Sequence, residues 1–125
     1  MPRRTQTEKQ ELGCWGEEQA TQYLQQNGYE IIARNVRTPY GEIDVVARKD
    51  ERMVFVEVKT RSTASFGFPE EAVTEEKIVH MIESAQSYLQ EHADLNVVWQ
   101  IDVIAVQKSS DVKEPVITHF ENAVS

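Results

Sequence analysis

Two neighbouring segments of this chain, Glu42–Arg48 and Met53–Thr60, are rich in β-branched residues and are separated by a short polar stretch. Such runs on either side of a tip predict a β-hairpin. With the tip centred between Asp50 and Glu51, paired residues have numbers that sum to 101, so Asp44 faces Glu57. This register constrains the fold most, because it fixes which side chains share a face.

Side chains alternate between the two faces of a strand, so the register separates polar from apolar residues. One face is predicted to carry Glu42, Asp44, Glu57 and Lys59. The other is predicted to be apolar, with Ile43, Val45, Ala47, Val54, Val56 and Val58. The tip lacks the glycine typical of two-residue turns. A four-residue loop would keep this pairing, whereas a three-residue loop would shift it by one and scatter the polar cluster.

The opposed carboxylates of Asp44 and Glu57 point to a bound cation. Directly opposed like charges destabilise a sheet, and a hard divalent cation with oxygen ligands would offset their repulsion. Lys59 adds a positive charge beside them. Charged strand residues often form only a solvated face, but Glu57 and Lys59 lie within a run apolar enough for a central strand. A charge there is costly unless it is paired or coordinates a metal.

The rest of the chain predicts a single domain over residues 1–125, with 1–7 and 121–125 flexible. A helix is predicted from about Glu8 to Asn27 with Gly28 as its C-terminal cap, and a second from Glu75 to about His92 with Thr74 as its N-cap. Further strands are predicted at Tyr29–Val36, Val97–Val106 and Val116–Phe120, and a small-residue loop at Arg61–Phe68. This order of elements predicts an α/β fold, a mixed sheet covered by helices.

The first helix offers a further acid to the hairpin. At 100° per residue, Glu17 lies beside Gly13, Ala20 and Leu24 at the margin of the apolar stripe, while Glu18 points to solvent. Glu17 is therefore able to reach the carboxylates of the hairpin. A boundary salt bridge explains its position equally well.

Composition restricts the function without deciding it. The net charge is −8, but residues 1–64 carry 10 basic and 10 acidic side chains and residues 65–125 carry 3 and 11. This balance counts weakly against tight, nonspecific binding to duplex nucleic acid. A single cysteine, no signal peptide and no apolar run of membrane-spanning length favour the cytoplasm and no membrane partner. The three histidines stand alone in the sequence, which argues against a structural zinc site.

Several motifs together are similar to one known family. They are Gly13-x-x-Gly16-Glu17-x-x-Ala20, Gly28-Tyr29, Arg34-Asn35, Gly41-Glu42-Ile43-Asp44, Phe55-Val56-Glu57-Val58-Lys59-Thr60-Arg61 and Phe66-Gly67-x-Pro69. The chain resembles, over residues 13 to about 106, the YraN-like family of the PD-(D/E)xK nuclease superfamily, which is related to archaeal Holliday-junction resolvases. It departs from the superfamily's pattern at Ile43, where some members have proline.

This resemblance implies the restriction-endonuclease-like fold, a central mixed β-sheet flanked by α-helices, and a set of roles for its residues. Asp44, Glu57 and the carbonyl of Val58 would hold Mg²⁺ or Mn²⁺. Glu17 would assist with a second ion or a bridging water, and Lys59 would position the attacking water or the phosphate. The residues expected to bind backbone phosphates are Arg34, Arg61 and Lys77.

The expected activity is that of a metal-dependent endonuclease that hydrolyses phosphodiester bonds in DNA, with branched or junction DNA as the substrate suggested by analogy. A homodimer is left open. The alternative is a catalytically inactive module on the same fold that binds nucleic acid or a protein partner through its acidic second half. The complete set of Asp, Glu and Lys favours the enzyme.

Overall fold

Five strands form one mixed sheet with a helix on each face. The computed structural model describes residues 6–62, 74–92, 97–109 and 114–123. The elements, in chain order, are α1 (Gln6–Gln26), β1 (Glu30–Thr38), β2 (Gly41–Lys49), β3 (Arg52–Ser62), α2 (Glu75–Glu91), β4 (Val98–Lys108) and β5 (Val116–Phe120). The predicted order of helices and strands is therefore confirmed.

The ends of several elements differ from the prediction. Helix α1 begins at Gln6 rather than Glu8, and β3 continues through Arg61 to Ser62, where a loop was predicted. The backbone N–H groups of Asn122 and Ala123, just after β5, donate hydrogen bonds to β4. The predictions for residues 1–5, 63–73 and 124–125, including the motif at Gly67 and Pro69, lie outside the described residues.

The strands follow their order in the chain, β1-β2-β3-β4-β5. The pairs β1–β2, β2–β3 and β4–β5 are antiparallel, while β3 and β4 are parallel and are joined through α2. Six consecutive residues of β4, 101–106, are buried, as expected for a strand covered on both faces. The chain thus has an α/β fold with the mixed sheet and flanking helices of the restriction-endonuclease-like fold.

The predicted hairpin register is confirmed as far as Val45 opposite Val56, one step short of the predicted pair of Asp44 and Glu57. Strands β2 and β3 pair from Lys49 opposite Arg52 to Val45 opposite Val56, and every pair sums to 101. The turn contains only Asp50 and Glu51, and both have positive φ, 52° and 62°. This is the backbone of a type I′ turn formed without glycine, which these strands adopt because its twist matches their own.

Each face of the sheet packs against one helix. The core on the α1 side contains Ala20, Leu24, Tyr29, Val45, Ala47, Val54, Val56, Ile104 and Val106. The core on the α2 side contains Ile43, Val46, Phe55, Ala85, Tyr88, Leu89 and Ile101. The prediction that Ile43 shares a face with Val45 is wrong, because Ile43 packs with Val46 on the α2 side.

The helix ends agree with the predicted caps. Gly28 follows α1 with φ of 87°, and the N–H of Tyr29 donates to the carbonyl of Leu24. Thr74 precedes α2, where its side chain accepts a hydrogen bond from the backbone N–H of Lys77. Among the described residues, neither helix is both long and apolar enough to cross a membrane.

Candidate metal and phosphate site

Asp44 is fixed against the backbone of the neighbouring strand. The β2–β3 pairing ends at Val45 and Val56, and beyond that pair the Oδ2 atom of Asp44 accepts a hydrogen bond of 2.8 Å from the N–H of Val58. Asp44 and Glu57 therefore flank the last pair of the hairpin instead of continuing its ladder. The hydrogen bond holds the carboxylate of Asp44 beside β3, where Glu57 also lies.

The carboxylates expected to share a face project into one cavity. Glu42, Asp44 and Glu57 line a cavity of about 290 Å³ between the end of the hairpin and α2, together with Lys77, His80 and Ser84 of that helix. The acids predicted to meet are thus brought together on the α2 side of the sheet. The space is large enough for a hydrated cation, since water occupies about 30 Å³ per molecule in the liquid.

The charge of Asp44 is poorly compensated. Burial, and after it the nearby charge of Glu57, raises the pKa of Asp44 from 3.8 to about 7, although the N–H of Val58 acts in the opposite direction. Within the described residues, no Lys, Arg or His nitrogen lies within 4.0 Å of this carboxylate. A buried acid beside a second acid is the arrangement that a bound cation stabilises.

Two lysines share a single oxygen of Glu57. The Nζ atoms of Lys59 and Lys77 lie 3.2 and 3.1 Å from Oε1 of Glu57. Burial and the neighbouring Lys77 lower the pKa of Lys59. Burial acts to lower the pKa of Lys77 as well, but its contact with Lys59 and the charges of Glu57 and Asp44 outweigh that effect and raise it. The ammonium groups therefore contact Glu57, whereas Asp44 interacts with Lys77 only beyond ion-pair distance.

Asn35 links two further carboxylates to the site, a role that sequence reasoning missed. With its amide nitrogen turned toward the acids, Asn35 donates to Oε1 of Glu17 at 2.8 Å and to Oε1 of Glu42 at 3.2 Å. Its φ is 52°, a left-handed conformation that asparagine tolerates better than most residues. In the sequence analysis Asn35 appears only within the Arg34-Asn35 motif. An asparagine inside a predicted strand, because it tolerates positive φ, was the feature that could have indicated a backbone irregularity there.

Glu17 reaches this network from α1, as its helical position predicted. Burial raises the pKa of Glu17, with added contributions from Glu42 and Glu57, while Arg34 opposes the shift. Glu18 is exposed and forms an ion pair of 3.0 Å with Arg34. Glu17 is therefore part of the acidic network, and the pairing with a basic residue belongs to Glu18 instead.

The three residues expected to bind phosphate differ in their positions. Lys77 lines the cavity and contacts Glu57. Arg34 is paired with the exposed Glu18 of α1 and does not line the cavity. Arg61 donates a hydrogen bond to the carbonyl of Thr60 at the end of β3, and the structure shows no contact between it and the acids. Only Lys77 is thus placed at the centre of the candidate site.

The residues present fit a magnesium-like ion that keeps part of its water shell. Asp44 and Glu57 supply carboxylate oxygens, and the Val58 carbonyl is a further oxygen nearby in the chain. Among the described residues, no third carboxylate or imidazole completes a compact trio with these two acids. Mg²⁺ is commonly bound by one or two carboxylates with water in its remaining positions, so two acids suffice.

Removing the ammonium group of Lys77 tests how the site balances its charges. We expect Lys77→Met to raise the affinity for Mn²⁺ by about two- to tenfold, because Lys77 competes with the cation for Glu57. Stability should change by less than about 1 kcal/mol, as is usual for a partly exposed ion pair. Isothermal titration calorimetry measures the affinity, with the exposed Lys9→Met as the matched control. Unchanged or weaker binding in Lys77→Met would count against competition for Glu57.

The three histidines stand alone in the sequence, but the fold brings His119 beside two carboxylates. Its Nε2 atom lies 2.6 Å from Oδ2 of Asp102, and Glu121 approaches the same pair. Asp102 and His119 are 17 residues apart in sequence. No local spacing signals this contact, because it depends on the register between β4 and β5.

The fold and the site define an α/β protein in which a hairpin and two helices gather carboxylates and lysines around one cavity. The chain belongs to the family described as Uncharacterised protein family UPF0102, whose model matches residues 16–106. That span runs from Gly16 of α1 to Val106 of β4. It therefore includes every residue of the acidic network and both lysines.

Relatives across bacteria share this sequence over most of its length. A UPF0102 protein of Syntrophomonas wolfei is 57% identical over 79 residues, covering 63% of this chain and 69% of the relative. One from Syntrophotalea carbinolica is 45% identical over 112 residues, covering 90% of this chain and 89% of the relative. One from Dehalococcoides mccartyi is 40% identical over 116 residues, covering 93% and 94%. These similarities establish the family.

Proposed function

We propose that this protein is a Mg²⁺-dependent endonuclease of the PD-(D/E)xK type, related to archaeal Holliday-junction resolvases, that hydrolyses phosphodiester bonds in DNA. The observation that carries the proposal is the cavity shared by Asp44 and Glu57. One of these acids is buried without a cationic partner, and the other is held by two lysines. In metal-dependent phosphodiesterases, acids of this kind hold the ion that activates water and polarises the phosphate.

The two acids, the two lysines and one carbonyl at this end of the hairpin would each have a role in the proposed reaction. Bound Mg²⁺ would polarise the scissile phosphate and stabilise the negative charge that develops on it. Asp44 and Glu57 would hold the ion, with the Val58 carbonyl as a third oxygen. Lys59 is mostly buried and held by Glu57, so its ammonium group is positioned to orient the attacking water or the phosphate. Lys77 is more exposed and is available to a phosphate of the backbone.

Glu17 would act through water or a second ion, because it lies at the edge of the site. Its carboxylate is fixed by Asn35, which also holds Glu42. Glu17 does not line the cavity, so its carboxylate would orient water there rather than bind the same ion as Asp44. Asn35 is thus a positioning residue that keeps two acids in place.

The charge of the protein favours a substrate recognised by its shape. Net charge is −8 overall and zero over residues 1–64, which contain β2, β3 and most of the acidic network. Such a balance does not provide the strong, sequence-independent attraction that basic proteins have for duplex DNA. Branched or junction DNA offers a distinct geometry to a few local contacts, and we propose it as the substrate class.

The activity is tested with labelled linear, flap and four-way DNA substrates in Mg²⁺ or Mn²⁺. We expect the wild-type protein to cleave a branched substrate, chelation of the metal to stop the reaction, and Lys59→Ala to reduce the rate at least about tenfold by removing the charge that positions water or phosphate. Lys9→Ala, at an exposed position of α1, serves as the matched control and should retain the wild-type rate.

Cleavage that is equally fast with Lys59→Ala would come from a contaminating nuclease and would contradict the proposal. Binding of branched DNA without cleavage in either metal would support the alternative, a catalytically inactive nucleic-acid-binding module. An RNA substrate of the same shape, run in parallel, distinguishes the two nucleic acids.

A further inference from the structure

A second group of possible metal ligands lies on the other face of the sheet. Asp102 of β4, His119 of β5 and Glu121 just after β5 place one ligand atom each within 4.8 Å of the others. His119 contacts Tyr23 of α1, whereas the cavity of Asp44 faces α2. The sheet therefore separates this group from the site proposed for catalysis.

Each of the three side chains is oriented by a second partner. Oδ1 of Asp102 accepts hydrogen bonds from Gln100 at 2.8 Å and from the N–H of Asn122 at 2.9 Å, which leaves Oδ2 facing His119. The hydroxyl of Tyr23 lies 3.0 Å from Nδ1 of His119.

Glu121 is oriented in the same way, because the hydroxyl of Tyr29 donates to its Oε1 atom at 3.5 Å. Partners that fix the tautomer and direction of a ligand are a regular feature of metal sites in proteins.

The hydrogen bond between His119 and Asp102 explains the position of those two residues but not that of Glu121. Asp102 is fully buried and already accepts three hydrogen bonds. Glu121 is exposed and held by a long hydrogen bond of 3.5 Å from Tyr29, yet it approaches a second carboxylate. Two carboxylates beside one imidazole repel each other less when a cation lies between them.

The donor set suits a transition metal better than Mg²⁺. Imidazole nitrogen with carboxylate oxygen is a ligand combination used for Zn²⁺ and its neighbours, while Mg²⁺ prefers oxygen alone. Binding requires Nε2 of His119 to lose its proton, after which Nδ1–H donates to the oxygen of Tyr23. The distance of 2.6 Å between Nε2 and Oδ2 would widen by less than about 1 Å to admit an ion with bonds of about 2 Å.

The group is open to solvent at Glu121. This residue lines a cavity of about 230 Å³ at the hairpin end of the sheet, together with Tyr29, Gln100, Lys49, Asp50 and Arg52. Three protein ligands also leave one position of a tetrahedral ion free for water. We infer that Asp102, His119 and Glu121 form a Zn²⁺-type transition-metal site, distinct from the Mg²⁺ site proposed at Asp44 and Glu57.

The test uses untagged protein carrying Asp44→Asn and Cys14→Ser, which removes the other proposed site and the exposed thiol. We expect this background to bind one Zn²⁺ per chain in equilibrium dialysis and to give Co²⁺ a d–d absorption spectrum. Affinity should rise with pH, because metals bind the deprotonated forms of their ligands. Glu121→Gln changes an exposed side chain and should weaken binding at least about tenfold.

Two further variants and one control make the result decisive. Tyr23→Phe should weaken binding by about 10- to 100-fold, the usual effect of losing a partner of a metal-bound histidine. Glu51→Gln, at the exposed hairpin tip, should bind as the background does. Failure of the background to bind Zn²⁺ at millimolar concentration, or equal binding by Glu121→Gln, would overturn the inference. The test avoids substituting the mostly buried His119, which could prevent folding. It also measures metal binding and not nuclease activity, so it does not depend on the proposed function.

Discussion

Asp44→Asn should make the metal-free protein more stable and the metal-dependent enzyme inactive. The asparagine has nearly the same shape and still accepts the hydrogen bond from Val58, but it carries no charge beside Glu57. At pH 8 we expect the free energy of unfolding to rise on the order of 2–4 kcal/mol. We expect cleavage to fall by about 10²–10³-fold, because the ion that stabilises the transition state loses a ligand.

The sign of the stability change follows from the direction of the pKa shift. Because the pKa of Asp44 rises from 3.8 to about 7 on folding, the native state binds its proton more tightly than the unfolded state. Stability of the metal-free wild-type protein therefore falls as the pH rises from about 4 to about 7, and this loss is complete above pH 7. The difference between Asp44→Asn and wild type should be near zero at pH 4 and grow through this range.

Denaturant unfolding in the presence of a chelator, at a series of pH values, measures this effect. Glu30→Gln, an exposed acid of β1, is the matched control and should give a constant difference from wild type. Added Mn²⁺ should raise the melting temperature of the wild-type protein but not that of Asp44→Asn. A variant that is less stable than wild type at pH 8 would contradict the view that the charge of Asp44 is uncompensated.

Gly16→Ala should destabilise the fold by about 1–3 kcal/mol. A Cβ atom at Gly16 would lie 1.9 Å from Oγ1 and 2.9 Å from Cβ of Thr60, so α1 would have to move away from β3. Overpacking of this kind commonly costs this much, although the higher helix propensity of alanine offsets up to about 1 kcal/mol. The next residue is Glu17, so the same movement should displace it from Asn35.

Gly13 provides the matched control in the same helix. A Cβ atom there meets nothing within 4 Å, so Gly13→Ala should be neutral or stabilise the protein by up to about 1 kcal/mol. Thr60→Ala, combined with Gly16→Ala, should recover part of the lost stability because Oγ1 and Cγ2 are removed. Thermal and denaturant unfolding measure both effects. Equal stability of Gly13→Ala and Gly16→Ala would show that α1 and β3 do not pack closely at Gly16.

The parts of the site that lie close in sequence were predictable. The register of β2 and β3 follows from the alternation of residues around a short tip, and it brings Asp44 and Glu57 to the same end of the hairpin. Helical periodicity was sufficient to separate Glu17 from Glu18. In each case the contact depends on one element or on two strands joined by a turn, where local geometry leaves few alternatives.

The features of the structure that the sequence did not predict depend on a backbone irregularity or on contacts between elements that are distant in sequence. Arg34 pairs with Val45 and Val36 with Ile43, which leaves Asn35 across from Asp44. Asn35 has positive φ. Beside it, Ile43 of β2 packs on the α2 side and not on the α1 side that regular alternation along the strand predicts. The group at His119 requires the register of β4 and β5 and the docking of Tyr23, 96 residues away. Neither is encoded in a periodic pattern.

Anomalous diffraction from a crystal soaked in millimolar Mn²⁺ is the most direct test of the central claim, that Asp44 and Glu57 hold a divalent cation. We predict a peak about 2.1–2.3 Å from a carboxylate oxygen of each acid, with the Val58 carbonyl as a neighbouring ligand and the ammonium of Lys77 displaced from Glu57. Density that stays empty there, with Lys77 still bound to Glu57, would contradict it.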